Sequence, residues 1–316
     1  MALNQFTNLD FNDLRTQIKD YLRANSTFTD FDFEGSNFSI LIDTLAYNSY
    51  ITAYNTNMAV NESFIDSATL RENVVSLARN IGYVPRSKKA PTAKVNFTVD
   101  VSSTKAKTLK LHKGMVASGQ IANGDYIFSI PDDVTANADV NDIVNFSDVE
   151  IYEGTLLTKT FTVDDSQVDA KYILPNANID TSTIRVTITN PSGTAEVYNL
   201  YDNIYQVNSR SRLFLVQEIS DEKYQLLFGD NTLGRKPEDG STISVSYIVT
   251  QGELGNGAAN FSFNGKLTYA ISGIDQSVTE GVSFLTTTQA SENGAAIESV
   301  DSIKYLAPRV YASQQR

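Results

Sequence analysis

Cysteine and tryptophan are absent from this chain, and histidine occurs once, as His112. Without thiols there is no disulfide staple, no zinc–thiolate site and no cysteine nucleophile. A single imidazole removes His-pair metal sites and leaves any Ser-His-Asp triad only His112 to use. The lack of Trp counts against sugar recognition by ring stacking. Cations are scarce too: 25 Lys and Arg stand against 37 Asp and Glu, for a net charge of −12. That balance argues against an electrostatic grip on nucleic acid or on a membrane surface. No apolar run reaches membrane-spanning length, and the polar opening "MALNQFTNLDFNDL" has no basic region of the signal-peptide kind. Assembly in a host cytoplasm is the expectation that follows.

What is present is the composition of a folded protein. The chain is 41% apolar, with 16 Tyr and 16 Phe, more than a disordered chain carries. At 316 residues it sits near the upper limit for one core, so two or three domains are expected.

Residues 1–85 read as helical. Phe11, Leu14, Ile18 and Leu22 recur at helical spacing behind Asp10 or Asn12 as cap. After the loop "RANSTFTDFDFEG", with Gly35 at the turn, a long helix is expected from Ser36 to Phe64. It has apolar residues on more than one face. Ile40, Tyr47, Ile51, Tyr54, Met58 and Ile65 form one stripe, and Phe38, Leu41, Ile42 and Leu45 crowd elsewhere. A third helix is expected from Asp66 or Ser67, with Leu70, Val74, Leu77 and Ile81 on one face, stopped by Gly82 and Pro85.

From Ala90 the period changes to two. Val95, Phe97, Val99 and Val101 alternate, as do Ile243, Val245, Tyr247 and Val249. Short strand candidates fill the interval ("TLKLHKGMVASG", "DYIFSI", "TKTFTV", "STIRVTIT", "RLFLVQE", "YQLLFG"), separated by turns such as "NPSG" and "PEDG". No helices alternate with them, so an all-β body, a sandwich or small barrel, is expected. "TEGVSFLTTTQASENGAA" reads as a loop, and a last helix with Ser299 as cap and Ile303 and Leu306 on one face is interrupted by Pro308. The fold class is therefore α+β. The expected division is 1–85 helical assembly region, 86–200 β domain, 201–285 second β segment and 286–316 the start of a C-terminal helical region of a longer product.

Sites of chemistry are poorly supported. "GDNTLGRK" superficially resembles a phosphate loop, but Arg235 stands where Lys is needed, Lys236 is one late and Pro237 follows. The plainer reading is a strand-to-strand loop in which Gly229, Gly234 and Gly240 supply positive φ. Asp132/Asp133, Asp164/Asp165 and the aspartates of "DVNDIVNFSD" lack the spacing of a calcium loop and read as surface turns. No carboxylate pair is singled out for glycoside hydrolysis. Lys105, Lys107, Lys110, His112 and Lys113 form a basic strip, read as a solvated edge strand before a docking strip. "PRSKKAPTAK" reads as a solvated spacer. No catalytic, metal or cofactor residue is assigned, and no enzyme activity is expected.

Three stretches share a resemblance. The helical segment "FEGSNFSILIDTLAYNSYITAYNTNMAVNESFIDSATLRENVVSLARNIGYVPRSKKAPTA" resembles the N-terminal part of baseplate J-like proteins of contractile-tailed phages, nearest the large wedge subunits of myovirus baseplates. "YQLLFGDNTLGRKPEDGSTISVSYIVTQGELGN" resembles the family's strand, FGD loop, strand and Gly-Asn turn, here Phe228, Gly229, Asp230, Gly234, Pro237, Gly240, Gly255 and Asn256. "ESVDSIKYLAPRVYASQQR" resembles the return to helix. The resemblance implies a virion structural protein of the tail baseplate. Several copies would join one another and other wedge proteins around the tail tube, near sheath-initiating and tube-proximal proteins, and respond when the sheath contracts. It does not separate a phage from a bacterial contractile injection system. A carbohydrate-binding or cell-wall-degrading tail component is the rival reading.

The long helix supplies a physical reason for assembly, because a helix apolar on several faces is not satisfied by one neighbour. Leu41, Leu45, Tyr47, Ile51, Tyr54 and Met58 are the candidate interface. Of these, Leu41, Leu45 and Ile51 are expected to face helices of the same chain, and Tyr47, Tyr54 and Met58 another chain. Asn48, Asn55 and Asn57 are expected to fix register in the bundle.

Overall fold

The computed structural model describes residues 7, 9–25, 37–121, 124–167, 170–201, 207–271 and 274–314. The expected loop 23–35 beyond Asn25 and the helix start at Ser36 lie outside them. The chain forms two compact units, one of Met1–Val84 with Ser299–Arg316 and one of Pro85–Glu298. The pattern of a helical segment, a β-rich body and a terminal helix is the one the hydrophobic periods indicate.

The helical unit begins with α1 (Phe11–Asn25) and α2 (Asn37–Glu62). Asp10 is the cap of α1, its carboxylate accepting the N–H of Asn12 at 2.8 Å and of Asp13 at 3.1 Å. Helix α3 (Arg71–Asn80) starts later than the pattern suggests. The cause is Glu62, whose carboxylate accepts the N–H of Thr69 (2.7 Å), the hydroxyl of Thr69 (2.6 Å) and the amide of Asn73 (2.8 Å). These bonds hold the intervening residues as turns. Leu70 consequently lies outside the core at 50% exposure, and Val74, Val75 and Ala78 are buried instead. Gly82 closes α3 at φ 81, with Tyr83 N–H bonded to Ala78 O at 3.0 Å and Gly82 N–H to Arg79 O at 2.9 Å. This is a Schellman ending.

Helix α4 (Val300–Gln314) packs Ile303 and Ala307 into one core with Ala68, Val74, Val75 and Ala78. Ser299 caps it through its hydroxyl, 3.2 Å from Ser302 N. Pro308 does not interrupt α4, which runs through it. Proline removes one helical N–H. In the adjoining turn, the Arg309 guanidinium donates to Tyr305 O at 2.6 Å and lies 3.4 Å over the Tyr305 ring.

In the β unit, a six-stranded sheet runs in the order β14 (Phe261–Phe263), β3 (Gly114–Ile121), β4 (Gly124–Ile130), β6 (Ile143–Glu153), β1 (Thr92–Asp100) and β17 (Thr286–Glu292). A four-stranded sheet, β16 (Ile274–Val278), β15 (Leu267–Ile271), β2 (Thr108–Leu111) and β5 (Val134–Asn137), shares its core. The alternating Val95, Phe97 and Val99 of β1 meet Leu109, Leu111 and Leu267 there. The other sheet has seven strands: β7 (Thr155–Thr162), β13 (Thr242–Val249), β9 (Ile179–Thr189), β10 (Ala195–Leu200), β11 (Leu213–Glu218), β12 (Tyr224–Phe228) and β8 (Tyr172–Leu174). It coils almost into a barrel, since the Phe161 ring on β7 reaches Tyr172 on β8 with centroids 5.6 Å apart.

Several local expectations are corrected. Strand pairing crosses the expected division at residues 200 and 201, because β13 pairs with β7 and β9, and β14 returns to β3. Residues 286–316 are not uniformly helical: β17 occupies part of the expected loop and pairs with β1. β2 is an interior strand, flanked by β15 and β5. Its neighbouring lysines pair with carboxylates, Lys110 with Asp133 at 2.7 Å and Lys105 with Asp142 at 2.5 Å. Asp148 is not in a surface turn but within β6, at φ 51 beside the register shift between Val95 and Phe97. The "PRSKKAPTAK" segment is a packed strap. Arg86 N donates to Glu298 Oε2 at 2.9 Å and Ala90 N to Asp180 Oδ2 at 2.8 Å, with Ala90 fully buried.

Candidate assembly surface

Helix α2 contains only two charged residues, Asp43 and Glu62. Apart from Ile42, its inner face is small or polar: Ser39, Ile42, Ala46, Asn57 and Asn61 are buried. Small residues recur every seventh position at Ser39, Ala46 and Ala53, a spacing that returns to nearly the same side of a helix. This lets α1 lie close, and Arg15 of α1 pairs with Asp43 at 2.6 Å. Asn57 is used within the chain: its Oδ1 accepts Thr7 N–H at 3.1 Å and its Nδ2 donates to Thr7 Oγ1 at 2.8 Å. Asn48 and Asn55 are exposed. The exposed threonines Thr44, Thr52 and Thr56 return their hydroxyls to carbonyls one turn back, at 2.8–2.9 Å.

The large apolar side chains lie to either side of this inner face. Leu41 is 53% exposed and Leu45 48%; Ile40, Tyr47 and Tyr54 are 58%, 60% and 46% exposed, and Ile51 and Met58 are half-buried. At about 100° per residue, Ile40, Tyr47, Ile51, Tyr54 and Met58 form one stripe and Leu41 with Leu45 another, roughly 140° away. Leu41 and Leu45 therefore do not face the helices of their own chain as expected. Apart from Ile42, the inward positions went to smaller or polar residues, and the seven-residue recurrence of the small ones was the available signal. Helix α1 adds little cover: Phe11, Leu14, Ile18 and Leu22 are themselves half-buried, and Tyr21 is 68% exposed.

The FGD loop is braced internally. The Phe228 ring stands edge-on to Tyr172 and Tyr198, at centroid distances of 5.5 and 5.9 Å. Asp230 Oδ1 accepts the N–H of Thr232 (2.8 Å) and Leu233 (2.9 Å), and these backbone bonds hold its carboxyl below the usual range. Arg235 bridges Glu196 (2.9 Å) and Glu238 (2.7 Å). Gly234 and Gly240 do take positive φ, at 83 and 72. Gly229 does not; it is glycine because a Cβ there would lie 2.2 Å from the Gly234 carbonyl carbon. Pro237 is buried, while Leu233 at the loop tip is 59% exposed. The arrangement is a shaped loop without a cradle for phosphate.

His112 Nε2 lies 2.8 Å from the buried Thr268 Oγ1, and its Nδ1 lies 4.0 Å from Asp133 Oδ1. Among the described residues, no group of three or more His, Asp or Glu is placed to hold a metal ion. No described helix is long and apolar enough to cross a membrane.

Residues 10–83 match the family described as baseplate wedge protein gp6-like, helical domain. The chain is 26% identical to baseplate wedge protein gp6 of Enterobacteria phage T4, over 97% of this chain and 47% of that protein. It thus spans about half the length of the curated relative it matches. A chain of the anti-feeding prophage (AFP) baseplate, solved by cryo-EM with 6-fold symmetrisation, aligns with 100% of this chain and 62% of its own at 13% identity, with a TM-score of only 0.28.

Proposed function

Because this chain carries the gp6-like helical domain of baseplate wedge proteins and is similar to one of them along nearly its whole length, we propose that it is a non-enzymatic structural subunit of a contractile phage tail baseplate wedge. It assembles around the tail tube with copies of itself and other wedge proteins, next to sheath-initiating and tube-proximal proteins, and passes on the conformational change that triggers sheath contraction. The observation that carries this reading is α2, whose own chain covers a face of small residues and leaves two apolar stripes in solvent. Exposed apolar surface of this kind is a docking surface or an aggregation hazard.

The β unit supplies a stiff body, with two well-formed cores and a self-braced FGD loop. Leu45→Asp or Ile51→Asp should block wedge assembly and leave the β unit folded. Co-purification with the other wedge proteins and circular dichroism would report on each. Normal assembly by both variants, or an isolated wild-type chain that stays a compact monomer and binds no other baseplate protein, would remove the basis for this function.

A further inference from the structure

In an Asn-Gly pair the glycine has no Cβ to shield its backbone nitrogen, so that nitrogen can close on the carboxamide carbon of the asparagine before it. The chain holds four such pairs, at Asn123, Asn256, Asn264 and Asn293. Asn123 lies outside the described residues; the other three are described, and the fold treats them differently. Asn256 and Asn293 are locked together. Asn256 donates through Nδ2 to Gly294 O at 3.0 Å, and its Oδ1 accepts Gly294 N–H at 2.9 Å. Gly257 N–H is engaged as well, donating to Ser291 O at 2.7 Å. Each of these glycine nitrogens is therefore held on an acceptor other than the side chain it would attack.

Asn264 stands in the connection from β14 to β15. Its backbone N–H donates to Val116 O at 2.8 Å and its Nδ2 to Ser118 Oγ at 2.9 Å. Its Oδ1 and the N–H of Gly265 have no partner among the described residues. Asn264 is exposed, so water reaches its carboxamide. It also lines a cavity of about 720 Å³, walled by Phe261, Phe263, Val278 and Leu285 among others, in which no lining residue is charged. Phe284, at the rim, is 98% exposed.

We propose that Asn264 is a site of spontaneous deamidation, selected over Asn256 and Asn293 by this difference in hydrogen bonding. The nitrogen of Gly265 attacks Cγ of Asn264, and its proton passes through water to Nδ2. The N–Cγ bond forms as the Cγ–Nδ2 bond breaks, and ammonia leaves. The resulting five-membered imide takes up one water. It opens to aspartate when the new N–Cγ bond breaks, and to isoaspartate when the bond from Gly265 N to the main-chain carbonyl carbon of Asn264 breaks. The sum is water in and ammonia out, with nothing oxidised or reduced. Either product sets a carboxylate on the uncharged cavity. Isoaspartate also lengthens the main chain by one carbon where it passes from the six-stranded to the four-stranded sheet. The proposal does not depend on the baseplate reading.

Timed incubation of the full chain at mildly alkaline pH, folded and in urea, followed by peptide mapping, tests this. Asn256 and Asn264 share one tryptic peptide, so electron-transfer fragmentation assigns the position and separates aspartate from isoaspartate. In urea the three asparagines should react at similar rates, since all three precede glycine. In the folded chain Asn264 should react roughly 10-fold or more faster than Asn256 and Asn293, the factor expected when a hydrogen bond must first be broken at the attacking nitrogen. Equal rates at the three positions in the folded chain overturn the proposal. So does an Asn264 that stays intact in the folded chain while it reacts in urea.

Discussion

Replacing Leu45 by Asp separates folding from assembly quantitatively. Fully burying a large apolar side chain contributes about 1.5–3 kcal/mol. Leu45 is 48% exposed, so its contribution to the isolated fold is about half that, near 1 kcal/mol. The surface still open on Ile40, Tyr47 and Tyr54 is worth roughly 2–5 kcal/mol when covered, and that on Leu41 and Leu45 roughly 1.5–3 kcal/mol. Association itself costs at least about 4 kcal/mol in lost freedom. Neither stripe alone offsets that with a margin, so stable docking requires both to be covered at once. Leu45→Asp removes part of one stripe and forces a carboxylate to be desolvated, which costs several kcal/mol. Affinity for the partner wedge proteins should fall about 100-fold or more, while the denaturation midpoint of the isolated chain moves little. Sedimentation of mixtures and urea titration of the chain alone would measure the two. Wild-type affinity, or a loss of fold as large as the loss of affinity, would refute the reasoning.

The Glu62 clamp gives a pH dependence. Burial raises its carboxyl, but hydrogen bonds from Thr69 and Asn73 and from the backbone of Thr69 and Leu70 outweigh it, lowering the pKa from 4.5 to about 2. A depressed carboxyl stabilises the fold above its unfolded pKa, and that stability disappears as pH falls through the window from 4.5 to about 2. Glu62→Gln should cost about 1–2 kcal/mol at neutral pH after solvent screening and flatten the melting curve across that window; an unchanged pH profile would contradict the clamp. At the FGD loop, Gly229→Ala should destabilise the β unit by more than ~3 kcal/mol, since it drives a Cβ into the Gly234 backbone. Gly240→Ala, which meets only Pro191 Cγ at 3.6 Å, should cost about 1 kcal/mol for its positive φ. Equal losses on denaturant titration would show that close approach is not what selects glycine at 229.

The hydrophobic period made the architecture legible where one face of an element is buried. Val95, Phe97 and Val99 in β1, and Ile243, Val245 and Tyr247 in β13, are alternating residues that ended in cores. β17 was hidden because its sequence, Thr-Thr-Thr-Gln-Ala-Ser-Glu, is that of a polar edge. The start of α3 was hidden because a side chain seven residues before Thr69 captures the N–H groups a helix would use. The strap at 85–94 looked solvated because the carboxylates that hold it, Asp180 and Glu298, are remote in sequence. On α2, the excess of apolar residues was visible, but large residues were expected inward. Only Ile42 of the large residues took an inward position; the rest of the buried face went to Ser39, Ala46, Asn57 and Asn61, whose value lies in closeness and hydrogen bonding, which hydrophobicity does not register.

The absence of native cysteine allows the interface role of α2 to be measured one position at a time. Single Leu45→Cys and Tyr54→Cys chains, one on each stripe, would be labelled with a maleimide both free and within assembled baseplates. Val140→Cys, at a position 99% exposed in the β unit, gauges general access to reagent. Labelling at 45 and 54 should be ready in the free chain and suppressed after assembly by well over the change at 140. Equal labelling of both positions in assembled baseplates and in the free chain would contradict the claim that α2 is half of an interface between chains.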